Sequence, residues 1–311
     1  MRSISRFILA VVLLCLTVTS HSTPLAAKFE KIDFRLLYQA AQLANQAYEG
    51  RSQILGKYPP KSAWVTTPGK NNVQYVLLQS AKRKVQAIIV RGTIDSVNRK
   101  LNLDTQGVKD KKTGILMHRG FKTAADVIYK SVKPRLKANY TTHLVGHSLG
   151  GAVAAILGIY FIEDKFKVAG IYTFGQPKFT NLSGAKAYIN LPLIRVINQN
   201  DTVPLIPDET NKGGSKYAHT GSVINLLSGP YYVRASPKQS VKFSVGVLRR
   251  YFVQISVPDH KMKWYLRSIR QKLKGAKQVP FEDRDKYIVR HRAGKFYGDP
   301  IKRKSNFNHH Y

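Results

Sequence analysis

His143 to Gly158 reads HLVGHSLGGAVAAILG, and no other stretch of the chain says as much about the fold. Inside it, Gly146-His147-Ser148-Leu149-Gly150 is a G-x-S-x-G pattern. A short apolar run precedes the pattern and a long Ala/Gly-rich run follows it. A strand, a sharp turn and a helix are the context in which such a serine is thrust out of the chain. The steric demand explains the glycines: Gly146 and Gly150 lack side chains where strand and helix pass closest, while Gly151 and Ala152 let the helix press on the sheet. The N-terminus of that helix points N–H groups toward Ser148 and favours negative charge there.

Working outward, Lys31 to Glu49 spaces Phe34, Leu37, Tyr38, Ala41, Ala44 and Tyr48 three and four apart, which predicts an amphipathic helix ended by Gly50. Val73–Leu78 and Val85–Val90 are β-branched runs separated by a polar stretch, the pattern of a hairpin. Phe121–Leu136 reads as helix, Thr142–Val145 as a short buried strand and Leu149–Ile162 as a helix apolar on every side. Lys167–Phe174 and Leu193–Asn198 are further strands, and Tyr251–Val257 is strand-like. Strands alternating with helices predict an α/β fold, with a central, mostly parallel sheet and helices on both faces. Beyond about Lys272 the apolar periodicity fades and basic residues gather, so 23–275 is read as one domain and 276–311 as a basic C-terminal extension.

An activated serine needs a base, a group that orients the base, and donors for the developing oxyanion. In this chain order the acid comes next and the histidine last. Asp201 ends the run LPLIRVINQND and precedes Thr202-Val203-Pro204, so its carboxylate is expected at the carboxyl edge of the sheet; Asp208, in a polar loop, is the rival. Downstream histidines are His219, His260, His291, His309 and His310. His260 lies between a strand-like and a helix-like run, where a loop side chain can face a serine at the same edge. His219 sits in the polar run Ser215–Thr220, where a structural hydrogen bond is expected. The strand Ile88–Val90 runs into Arg91-Gly92-Thr93, which makes Thr93 one oxyanion donor and the backbone N–H of Leu149 the other. This chemistry calls for no cofactor and no metal.

With these residues in place, the chain resembles the class 3, fungal-lipase-like family of α/β-hydrolases, in its bacterial branch. The likeness runs from about Phe34 to Tyr265 and rests on ordered motifs: Ala47-Tyr48, Arg91-Gly92-Thr93, His118-Arg119-Gly120-Phe121, GHSLGGA, Thr173-Phe174-Gly175-Gln176-Pro177, Asn200-Asp201-x-Val203-Pro204, and Asp259-His260 with Trp264-Tyr265. The resemblance implies an α/β-hydrolase fold and a lipid-ester hydrolase (lipase, phospholipase or esterase). Ser148 would be its nucleophile, Asp201 and His260 the other triad members, and Thr93 with Leu149 the oxyanion site. It also implies a lid over Ile94–Lys112, but that segment is polar and lysine-rich where an oil-active lid is apolar. Two rivals use the same fold: a lipid acyltransferase, and a catalytically silent binder of lipids or polyanions. The intact set Ser148, Asp201, His260 and Thr93 speaks against the silent binder.

Composition sets the surroundings. The 51 Lys+Arg against 17 Asp+Glu leave a formal charge of +34 on 311 residues. An anionic membrane surface is therefore an expected partner beside the lipid ester, while no nucleic-acid-binding motif accompanies the charge. One cysteine, Cys15, excludes a disulfide scaffold and a cysteine-ligated zinc site. Residues 1–22, with Arg2 and Arg6 before the apolar run Phe7–Val18, read as a secretory signal cut after Ser22, with Ala27 as a second site. A secreted or periplasmic protein is expected.

Overall fold

The computed structural model describes residues 32–93, 104–199, 201–207, 217–240 and 258–288. The expected signal segment, Asp208, the strand-like run Tyr251–Val257 and His291, His309 and His310 lie outside those residues, as does the 94–103 part of the lid segment.

Asp33 opens the first helix, α1 (Phe34–Gln46), by accepting from the backbone N–H groups of Arg35 and Leu36. That is the hydrogen bond an N-cap aspartate supplies to otherwise unpaired amides. Strands β1 (Ala63–Thr66), β2 (Tyr75–Ser80) and β3 (Val85–Val90) follow, antiparallel to one another. The short strands β4 (Gly107–Lys109) and β5 (Leu116–His118) lead into α2 (Arg119–Val132). This helix stops earlier than the expected Leu136 because Pro134 turns the chain into a single 3-10 turn over Lys133–Arg135.

Next come β6 (Thr141–His147), α3 (Leu149–Glu163), β7 (Val168–Phe174), β8 (Thr180–Asn181) and β9 (Leu193–Asn198). The chain continues with β10 (Tyr217–Ala218), β11 (Ser222–Leu226), β12 (Tyr231–Ala235), α4 (Met262–Lys272) and β13 (Lys277–Gln278). Nine strands form the main sheet in the order β1-β2-β3-β6-β7-β9-β11-β12-β13, and β10-β8-β5-β4 form a small second sheet. From β3 through β11 every neighbouring pair in the main sheet is parallel.

One face of the main sheet is covered by α2 and α3, the other by α1 and α4, each over its own apolar cluster. Every residue of α3 from Leu149 to Phe161 is buried, as its all-round apolar sequence requires. On the opposite face Leu37 of α1 and Ile269 of α4 are almost fully covered, each adding about 2–3 kcal/mol from burial alone.

Past residue 275, where the sequence predicts the start of an extension, the chain still pairs with the sheet. Lys277 donates to Pro230 O, Ser228 donates to Tyr287 O, and the rings of Tyr231 and Tyr287 lie 4.2 Å apart. Residues 277–287 therefore belong to the sheet edge. Backbone pairing on an edge strand needs no apolar periodicity, which is why the sequence did not reveal it.

Candidate active site

The sheet places three loops at one edge, after β6, β9 and the segment before α4. At the first, Ser148 adopts φ 58° and ψ −132°, a left-handed backbone that a non-glycine residue takes only where its surroundings enforce it. Two backbone bonds hold the turn: Ser148 donates to Phe174 O at 2.9 Å, and Gly151 donates to Ser148 O at 2.9 Å. Neither flanking glycine has room for a methyl group. A Cβ on Gly146 would lie 2.2 Å from Gly150 O, and one on Gly150 would lie 2.3 Å from Val90 O.

His260 and Asp201 meet the serine. His260 Nε2 is 2.8 Å from Ser148 Oγ, and His260 Nδ1 is 2.8 Å from Asp201 Oδ2. The Asp201 side chain is wholly buried, whereas the His260 side chain keeps 16% of its exposure, enough to reach a bound ester. Because a carboxylate can only accept, Nδ1 carries the proton and Nε2 presents its lone pair to the serine hydroxyl. Asp201 is held on both oxygens: Oδ1 accepts from Val203 N at 3.0 Å, and Oδ2 also accepts from the Tyr265 hydroxyl at 2.5 Å. Burial raises the Tyr265 pKa well above the ordinary phenol value, so that hydroxyl is always a donor. Asn198 donates to Asp259 O and accepts from Ser268 Oγ, which ties the histidine loop to β9 and α4. Gly175 lies beneath the pair at φ +58°, where a Cβ would stand 2.7 Å from Asp201 Oδ2 and 2.8 Å from the His260 ring.

On the other side of Ser148 runs the end of β3. A Cβ on Gly92 would fall 2.7 Å from His147 O and 3.1 Å from Ser148 Cβ, so Thr93 follows a backbone already in contact with the serine turn. Leu149 opens α3, where a backbone N–H has no partner inside the helix. His219 is engaged elsewhere. Its Nε2–H donates to Pro204 O at 2.6 Å, and burial, with the nearby Arg195 and Lys178 charges, holds it well below the usual imidazole pKa.

Residues 104–112, the described part of the segment expected to form a lid, are tethered to the helices behind them. Asp104 pairs with Arg119, Asp110 accepts from Tyr160 and Thr113, and Lys112 pairs with Asp164. In the sequence Tyr265 and Gly175 stand only as members of the motifs Trp264-Tyr265 and Thr173–Pro177, with nothing to assign them a place beside Asp201. Both lie far along the chain from the residues they touch.

Such a constellation can deprotonate a serine, deliver it to an electrophilic carbonyl and protonate a leaving group. The comparisons with known proteins agree in kind. Residues 87–211 match the class 3 lipase family. The class 3 lipase match takes in Thr93, Ser148, Leu149 and Asp201, and His260 joins them through the geometry. A secreted mono- and diacylglycerol lipase of Fusarium solani is 29% identical over 172 residues, 50% of this chain and 48% of that one. A chloroplastic phospholipase A1 of Arabidopsis thaliana is 28% identical over 119 residues, 35% of this chain and 18% of that one. The chain thus spans about half, or less, of the length of these relatives. Among solved structures, a triacylglycerol lipase described as having a serine-protease triad superposes with a TM-score of 0.56. It is 20% identical and covers 72% of this chain and 90% of that one, which establishes the α/β-hydrolase fold.

Proposed function

We propose that the protein is an exported serine hydrolase of lipid carboxylic esters, working through Ser148, His260 and Asp201. The observation that carries this reading is the pair of 2.8 Å contacts that put one imidazole between a serine on a strained turn and a buried carboxylate. His260 Nε2 takes the Ser148 proton as Oγ attacks the ester carbonyl. The oxyanion is received by the N–H groups of Leu149 and Thr93, each donor contributing about 3 kcal/mol in comparable sites. His260 then gives its proton to the departing alcohol, and water repeats the sequence on the acyl-enzyme. Asp201 keeps Nδ1 protonated and offsets the imidazolium charge. The lipid class of the substrate is supported by the relatives, whose names cover mono- and diacylglycerols and phospholipids.

Export and membership of the family's bacterial branch belong to the same proposal. Export is supported by the signal-like composition of residues 1–22 and by the secreted Fusarium relative. The domain limits are proposed as 23 to at least 287, since 277–287 pack on the sheet. The test is a hydrolysis panel of monoacylglycerol, diacylglycerol, triolein and phospholipid vesicles, with Ser148→Ala as control. Fatty-acid release from one or more lipids that vanishes in the variant supports the reading. Release unchanged in Ser148→Ala, or none on any ester, overturns it.

A further inference from the structure

Beside the triad runs a second chain of hydrogen bonds that the mechanism above does not use. His147, the residue before the nucleophile, is buried with both ring nitrogens engaged. Its Nε2 lies 2.7 Å from the backbone oxygen of His260, and its Nδ1 lies 2.6 Å from the Tyr48 hydroxyl. A carbonyl oxygen only accepts, so Nε2 must carry the proton and Nδ1 must be the acceptor. The Tyr48 O–H therefore donates to Nδ1, and its oxygen faces the Gly92 backbone. The packing there is tight: a Cβ on Gly92 would lie 2.2 Å from the Tyr48 hydroxyl.

We propose that Tyr48 and His147 are positioning residues for the hydrolytic reaction, a relay that fixes the base loop against the oxyanion strand. The chain from Tyr48 O–H, packed on Gly92, through His147 to His260 C=O links three elements that must hold fixed spacing in the transition state. These are the strand end bearing Thr93, the turn bearing Ser148 and the loop bearing His260. Tyr48, at the end of α1, locks the tautomer, and the locked Nε2–H pins the backbone of the base. Misplacing a reacting group by about 1 Å costs roughly a hundredfold in rate, so a backbone anchor at the base has a measurable job.

The relay requires His147 to stay neutral. The groups facing it are Tyr48 from the end of α1, His260 and Tyr265 from the loop and helix beyond, and Asp201 from the turn after β9. Burial, reinforced by the His260 imidazole, pulls the His147 pKa down to about 3; the bond to the His260 carbonyl and the Asp201 charge only partly oppose this.

The inference rests on the proposed hydrolase reading, and the test separates the two. Second-order labelling of Ser148 by a fluorophosphonate is measured for wild type, Tyr48→Phe, His147→Asn and His147→Gln, with melting temperatures alongside. Asparagine cannot place a donor where Nε2 stood, whereas glutamine can. The relay predicts a 10- to 30-fold slower label for Tyr48→Phe and His147→Asn, and recovery to within about threefold for His147→Gln, without a matching order in melting temperature. In the wild type, imidazole ¹⁵N NMR should show His147 protonated on Nε2 and unchanged from about pH 5 to 9, a readout that needs no variant. Labelling at the wild-type rate in Tyr48→Phe and His147→Asn, or a His147 that titrates in that range or carries its proton on Nδ1, overturns the inference alone. A wild type that never labels at Ser148 overturns the hydrolase reading and this inference with it.

Discussion

Asp201 shows how much of the site is decided by single side chains. One buried carboxylate accepts from His260, Tyr265 and the Val203 amide, so its charge is spread over three donors while its orientation is fixed. Replacing it with asparagine removes the charge and one of the two acceptor oxygens, loosens the hold on the Nδ1–H tautomer, and should cut kcat by about 10⁴. Tyr265→Phe leaves Asp201 and His260 in place but removes one of the two donors to Oδ2. The expected loss is about tenfold in kcat with KM unchanged, read from steady-state kinetics on a soluble ester. Ser148, Asp201 and His260 were legible in the sequence because residue type, chain order and flanking runs all constrain them. Tyr265 lies 64 positions from Asp201, and no spacing rule reaches that far. His147 was visible only as the variable residue of G-x-S-x-G; its partners come from α1 and from the loop before α4.

At the level of elements, the turn between β6 and α3 carries the strongest constraint. Gly150→Ala would drive a methyl group to 2.3 Å from a backbone oxygen of β3, which no side-chain rotation relieves. Chemical denaturation should show a loss of more than about 3 kcal/mol, or no soluble protein. Native-like stability would contradict the packing described. The segments β2, β3, β6, α3, β7 and β9 were readable because each is apolar enough to be buried on both sides or shows a clear period. The β11–β12 hairpin and β13 were not. Val223, Ile224 and Leu226 are mixed with Ser222 and Asn225, and Lys277-Gln278 holds its place on β12 by backbone bonds alone.

For the whole molecule, buried histidines set the response to acid. His143 on β6 is buried, neither ring nitrogen has a partner among the described residues, and burial lowers its pKa to about 4. The unfolded chain takes up a proton below about pH 6.5 while the folded one resists until about 4, so stability falls as pH drops through that window. His147 and His219, also lowered, act in the same direction. His143→Leu should flatten part of this slope, gaining about 3 kcal/mol over wild type at pH 4 relative to pH 7. Urea titrations at the two pH values measure it, and an unchanged slope would contradict the assignment.

The charge of +34 acts at the same scale. Initial rates should be higher on anionic than on zwitterionic vesicles of equal area. The preference should shrink between about 50 and 500 mM salt, as the screening length falls from roughly 14 to 4 Å. Equal rates on both surfaces at low salt would remove the membrane argument and leave the triad untouched. The central claim is that one serine is activated, and it is tested most directly by peptide mapping of the full chain after fluorophosphonate treatment. The account predicts a single adduct, on Ser148, absent from Ser148→Ala and from His260→Ala. An adduct on any other residue, or an unmodified Ser148 in folded protein, would contradict it.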